Sequence, residues 1–152
     1  MRRFKHLFFL LLVITLVPMT SCDDDDDDVE PSRMDLLTAG EWSGFAIFVN
    51  GADVTDFLAS DEDEPIDVRT WKLKFNNDGT YTIRGDGVDP SPLQGEWEFT
   101  NNEQAIILEG DSPGDTQTVE INKLTSSELF LNMTLEDEDS GTSIDGEIRF
   151  RR

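Results

Sequence analysis

Histidine and cysteine are almost missing from this chain. Of its 152 residues one is histidine, His6, and one is cysteine, Cys22. His6 lies in an N-terminal stretch with the character of a leader, so the chain without that stretch has no imidazole. A Ser-His-Asp or Cys-His nucleophilic centre then lacks its base, and a zinc site lacks nitrogen ligands and has at most one sulfur. A lone cysteine also excludes a disulfide within the chain. Carboxylate-only chemistry and oxygen-ligated Ca²⁺ are what the composition leaves open. Basic residues are scarce as well: 12 Lys and Arg stand against 33 Asp and Glu, a formal charge of −21. Residues 1–21 hold Arg2, Arg3 and Lys5 and no acid, so the remainder carries nine bases against 33 acids. Such a surface repels phosphate backbones and anionic lipid heads, which excludes nucleic acid as a partner and suits cationic ones.

The chain opens with a basic head, Arg2, Arg3 and Lys5, followed by eleven largely apolar residues, 7–17. As a helix that run measures about 17 Å against a hydrocarbon core of about 30 Å, too short to span it comfortably. Basic head, short apolar run and small residues together predict a secretory signal over 1–21. The other reading, a buried core helix, conflicts with its position and its basic flank. Met19-Thr20-Ser21-Cys22 resembles a bacterial lipobox, with Met19 standing where leucine is usual. The resemblance implies cleavage before Cys22 and acylation of its thiol, as with palmitate. Each acyl CH₂ buried in a membrane contributes about 0.8 kcal/mol, so several chains make a durable anchor. The alternative is a secreted protein with a free thiol. Six aspartates, Asp23 to Asp28, follow. They resemble the acidic export signal of Bacteroidota-type surface lipoproteins, which implies display on the outer face of the outer membrane. The alternative is a spacer on a periplasm-facing lipoprotein. Like charges in series stay extended in water, so residues 22–33 read as a tether and 34–152 as the folded domain.

Within that domain residues 34–38 read as a short helical turn ended by Gly40. Residues 41–49, EWSGFAIFV, are rich in aromatic and β-branched side chains but apolar on both faces, so their inward face is ambiguous. Asn50-Gly51 is a turn signal. Residues 54–58 read as a helical turn capped by Asp53 or as a short strand, and 61–65 as exposed loop. From there alternation is regular. Strands are predicted over 70–75, 80–84, 93–99, 104–108, 116–123, 129–135 and 144–151. Their inward faces carry Trp71, Leu73 and Phe75; Tyr81 and Ile83; Gly95, Trp97 and Phe99; Val119 and Ile121; Leu129, Leu131, Met133 and Leu135; Ile144, Ile148 and Phe150. Asn76-Asn-Asp-Gly79 is a hairpin turn in which Gly79 supplies the positive φ. One-sided alternation argues for an antiparallel sheet with a single wet face, and successive hairpins for a meander. The prediction is an all-β domain: an eight-stranded antiparallel up-and-down barrel, closed or half-open. A Greek-key sandwich needs longer crossovers, and only residues 50–69 are long enough for one.

Three motifs resemble those of lipocalin-like domains found in many such lipoproteins: Gly40-Glu-Trp42, Phe75-Asn-Asn-Asp-Gly-Thr-Tyr81 and Gly95-Glu-Trp97. Two further segments typical of classical lipocalins are absent. The resemblance implies that Trp42 sits at the closed end of the barrel and packs on an arginine of the last strand, Arg149 or Arg151. Such a contact is worth roughly 0.5–2 kcal/mol. Plain core packing of Trp42 is the alternative. The two Gly-Glu-Trp copies lie 55 residues apart and mark either a half-barrel repeat or a coincidence.

An eight-stranded barrel is just wide enough to be filled by side chains or to hold one small ligand. The first functional reading is therefore a module binding a small hydrophobic ligand, with Trp71, Tyr81, Trp97 and Met133 as candidate lining residues. The second is a structural or accessory subunit of a surface complex, its core filled by those same residues. Its acidic loops at 61–64 and 136–139 would meet a basic protein partner. Neither loop has the spacing of an EF-hand, and no metal or cofactor is expected. An enzyme would need a carboxylate pair about 5–10 Å apart. Among 33 acids some pair always meets that condition, so nothing selects one and no catalytic role is expected. Metabolic labelling with palmitate is expected to mark the protein, and mass analysis to find residues 1–21 removed. An unlabelled chain that retains its leader would refute the anchor.

Overall fold

The computed structural model describes residues 30–62, 65–88, 92–110, 116–137 and 142–152. The leader, Cys22 and the aspartate run lie outside the described residues, as do parts of both acidic loops and the side chain of Leu135.

The folded unit, Pro31–Arg152, is one antiparallel sheet. Its strands are β1 (Glu41–Val49), β2 (Ala52–Asp53), β3 (Lys72–Phe75), β4 (Thr80–Arg84), β5 (Leu93–Thr100), β6 (Ala105–Gly110), β7 (Thr116–Leu124), β8 (Glu128–Asp137) and β9 (Thr142–Arg151). From β3 to β9 each strand pairs with the next, and β1 pairs with both β3 and β9. Eight strands thus close an up-and-down barrel, and the two-residue β2 is an extra spur on β1. The barrel is closed rather than half-open. The long segment between β1 and β3 makes no Greek-key crossover.

That segment closes a seam instead. Only Glu41, Trp42 and Ser43 of β1 pair with β3. Above them the Gly44 N–H donates to the Trp71 carbonyl at 3.0 Å, and the Val54 N–H donates to the Ile47 carbonyl at 2.9 Å. The Ile47 N–H donates to the Thr55 hydroxyl at 2.9 Å. Thr55 opens α2 (Thr55–Ala59). Asp53 Oδ1 in turn accepts from the Thr55 hydroxyl at 2.6 Å and from its N–H at 3.0 Å. These bonds, the hydroxyl first, lower the Asp53 pKa below the usual carboxylate range. The helical turn of the two sequence readings is therefore present, with Asp53 forming a local turn ahead of it. A bulge between Gly44 and Ala46 on the β9 side lets β1 coil around the closure.

α1 (Arg33–Thr38) covers one end of the barrel, called here the base. Ser32 caps it, accepting from the Asp35 N–H at 3.0 Å while the Asp35 carboxylate accepts from the Ser32 N–H at 3.1 Å. Arg33 donates to the Glu103 carbonyl in the β5–β6 turn at 2.8 Å, and Thr38 to Asn77 in the β3–β4 turn at 2.6 Å. Leu37, fully buried, points into the core.

The two Gly-Glu-Trp copies are not a repeat. β1 leaves the base and β5 returns to it, so no rotation about the barrel axis relates them. Their glycines differ as well. A Cβ at Gly40 would find only the Arg152 side chain, 3.6 Å away, whereas one at Gly95 would overlap the Glu109 carbonyl and press on the Tyr81 ring. Gly95→Ala is expected to cost about 1–3 kcal/mol in urea unfolding, and Gly40→Ala less than about 0.5 kcal/mol. Equal effects would contradict this packing.

Candidate binding site in the barrel

Inward side chains are packed most tightly at the base. Leu37, Trp42, Phe75, Ile106, Leu129 and Phe150 are at most 1% exposed. Trp42 is held by two contacts, the second of them itself anchored. Its indole N–H donates to the Leu37 carbonyl at 2.9 Å, its ring lies 3.8 Å from the Arg152 guanidinium, and that guanidinium also donates to the Leu36 carbonyl. Cover by its surroundings lowers the Arg152 pKa.

The cation on Trp42 is thus Arg152, not Arg149 or Arg151, which lie on the outer wall. Arg149 sits 3.8 Å from the Phe48 ring centre and 4.7 Å from that of Phe130, and its Nε donates to Glu147 at 2.6 Å. Arg151 lies 5.4 Å from the centre of Phe45. Alternation could have found this. If Ile148 and Phe150 face inward, 149 and 151 face out and 152 faces in.

The four candidate lining residues divide into two pairs. Tyr81 and Trp97 are each 5% exposed and belong to one aromatic cluster. Phe75 and Trp97 meet edge to face at 5.2 Å, Trp97 and Phe99 at 5.2 Å, and Phe75 lies 6.4 Å from Tyr81. The Trp97 indole donates to the Asn76 carbonyl at 3.1 Å, which ties it to the β3–β4 turn. Trp71 and Met133 are half-buried and pack on the cluster from the side. The Trp71 indole donates to the Asp86 carbonyl at 2.7 Å, and Met133 Sδ accepts from Gln117 at 3.9 Å. Ile83 and Leu108, near the ends of β4 and β6 away from the base, are also inward and half-buried. Phe99, Ile121 and Leu124 are half-buried too, at the rim of the base.

The interior therefore has a floor, Tyr81 and Trp97 above the sealed base, and above it an apolar ring of Trp71, Ile83, Leu108 and Met133 that keeps partial exposure. Side chains of this kind can hold an apolar group by desolvation but carry no acid, base or nucleophile. Among the described residues no group of three or more His, Cys, Asp or Glu could hold a metal ion.

No protein-family model and no curated protein matches the chain. Among solved structures it is similar to a DUF4847-family protein from Bacteroides vulgatus, with a TM-score of 0.51 and 12% identity, over 79% of this chain and 96% of that one. Aphrodisin, a sex pheromone from female hamster, aligns with a TM-score of 0.42 and 11% identity, over 74% of this chain and 73% of its own. The first likeness speaks for the fold alone.

The burial pattern predicts an ordered response to acrylamide. A variant retaining only Trp71 is expected to be quenched readily, and variants retaining only Trp42 or only Trp97 to be shielded. Equal quenching of all three would mean that the floor does not exist.

Proposed function

We propose that this protein is a non-catalytic lipoprotein of the outer membrane, displayed at the cell surface through Cys22, whose barrel takes a small hydrophobic ligand. The observation that carries the ligand reading is the change in burial along the interior. The base is closed by α1, Trp42 and Arg152, while Trp71, Ile83, Leu108 and Met133 remain half-buried above the Tyr81–Trp97 floor. A barrel stoppered at one end and lined with incompletely covered apolar side chains gains from covering them, at about 25 cal/mol per Å² of apolar surface removed from water. The floor limits the ligand to something shorter than the barrel. Anchoring rests on the lipobox-like sequence, and surface display on the aspartates behind it.

The packed cluster of Phe75, Tyr81, Trp97 and Phe99 favours a second reading, an accessory subunit whose barrel is filled and whose role is to meet another protein. Titration with a short-chain fatty acid, followed by Trp71 emission, separates the two. Saturable change in the protein, reduced in Met133→Gln, is expected for ligand binding. A flat response across lipids and small hydrophobes would leave the accessory role.

A further inference from the structure

Beside the base, where β1, β3 and β9 meet, lies a cleft of about 560 Å³ lined by Ser43, Gly44, Phe45 and four cations, Arg69, Lys72, Arg151 and Arg152. Among the described residues no Asp or Glu side chain lines it, although beyond residue 21 acids outnumber bases 33 to nine. Register explains the gathering. Ser43 stands opposite Lys72 on β3 and opposite Arg151 on β9, and Lys72 stands opposite Arg84 on β4. Arg84, Lys72, Ser43 and Arg151 thus form one outward row across four strands. Like charges directly opposed on an antiparallel pair destabilise it.

The neighbouring acids relieve only the Arg84 end of the row. Arg84 pairs with Glu41 at 2.8 Å. Glu128, opposite Arg151 on β8, reaches Lys123 instead, at 2.6 Å. Arg69 is bound to Asp67 at 2.7 Å and Asp56 at 3.0 Å. Lys72 donates to the neutral Ser43 hydroxyl at 2.7 Å, Arg151 lies over Phe45 and Arg152 over Trp42. Three cations of the cleft, Lys72, Arg151 and Arg152, therefore have no carboxylate partner among the described residues, and each is held by a neutral group.

We infer that this cleft is an anion site for a phosphate-bearing ligand. A phosphate monoester carries a charge of about −1.5 to −2 and three acceptor oxygens, enough to engage an ammonium and two guanidinium forks together. A carboxylate would neutralise only one of the three. The strongly negative remainder of the chain opposes the approach of any anion. Repulsion between exposed charges is screened beyond about 8 Å at physiological salt, whereas these three cations act at contact. A soluble phosphate monoester and a lipid phosphate headgroup share the required chemistry. The site does not depend on the barrel binding anything.

The test is titration of the whole protein with inorganic phosphate at constant ionic strength, followed by calorimetry and by thermal unfolding. Saturable binding is expected, with a rise in Tm. In the Lys72→Gln/Arg151→Gln double variant binding should weaken roughly tenfold or more, about 1.4 kcal/mol. In Lys74→Gln, a base outside the cleft, it should be unchanged. The double variant should remain folded, with an unliganded Tm close to that of the parent, because Lys72→Gln removes a like-charge opposition and Arg151→Gln gives up only a contact at the surface. Absence of saturable binding, or equal binding by parent and double variant, overturns the site. Vesicles of phosphatidylcholine with and without phosphatidic acid then identify the source. Binding that needs phosphatidic acid and is competed by phosphate assigns a lipid headgroup. Phosphate binding without vesicle binding assigns a soluble ester.

Discussion

An antiparallel sheet has two edges of unpaired N–H and C=O groups until its first and last strands meet. Here they meet along Ser43–Val49 and Gly146–Arg151, and the rest of the structure depends on that pairing. It leaves β1 with a second edge that β3 is too short to cover. A carbonyl from Trp71, a hydroxyl from Thr55, an N–H from Val54 and the spur β2 cover it piece by piece. Thr55 is the buried polar residue of the described core because its hydroxyl substitutes there for a strand. Gly44 lies against the Val68 backbone, where a Cβ would not fit.

Closure separates two chemistries. Inside, the side chains are mostly apolar and graded in burial from the base outward, with Gln117 opposite Leu108 away from the base. Outside, β9 supplies arginines that lie over the phenylalanines of β1 and β8. Those rings fix the directions of the guanidiniums, so the outer wall is charged but not freely mobile. A ligand in the barrel and an anion on the wall would use opposite faces of the same strands. The two activities proposed here can therefore fail independently.

Much of this was legible in the residues. Seven of the eight barrel strands, β3 to β9, follow from alternation, because a strand half in water and half in a core must write that division into every second position. The Asn76–Gly79 turn followed from the need for a positive φ, found at +84° in Gly79. What escaped has particular causes. β1 was ambiguous because its outward Phe45 and Phe48 are covered by arginines more than 100 residues away. Thr70 and Trp71, read as the start of a strand, instead end and follow a short 3₁₀ turn at Val68–Thr70, and the Trp71 carbonyl turns toward β1 to close the seam. The cationic row could not be read at all. Lys72 and Arg151 were each recognisable as outward, but what sets them side by side is register, which belongs to the closed barrel and not to either segment.

The plug at the base has a mechanical consequence. α1 is pinned at Leu36 by Arg152, at Arg33 by the β5–β6 turn and at Thr38 by the β3–β4 turn, so both ends of the folded unit converge on one helix of six residues. Any pull arriving along the chain from residue 30 loads those side-chain contacts in shear before it reaches a single strand pair. Under force the helix should peel away first, uncovering Trp42 while the hoop of strands behind it stays intact.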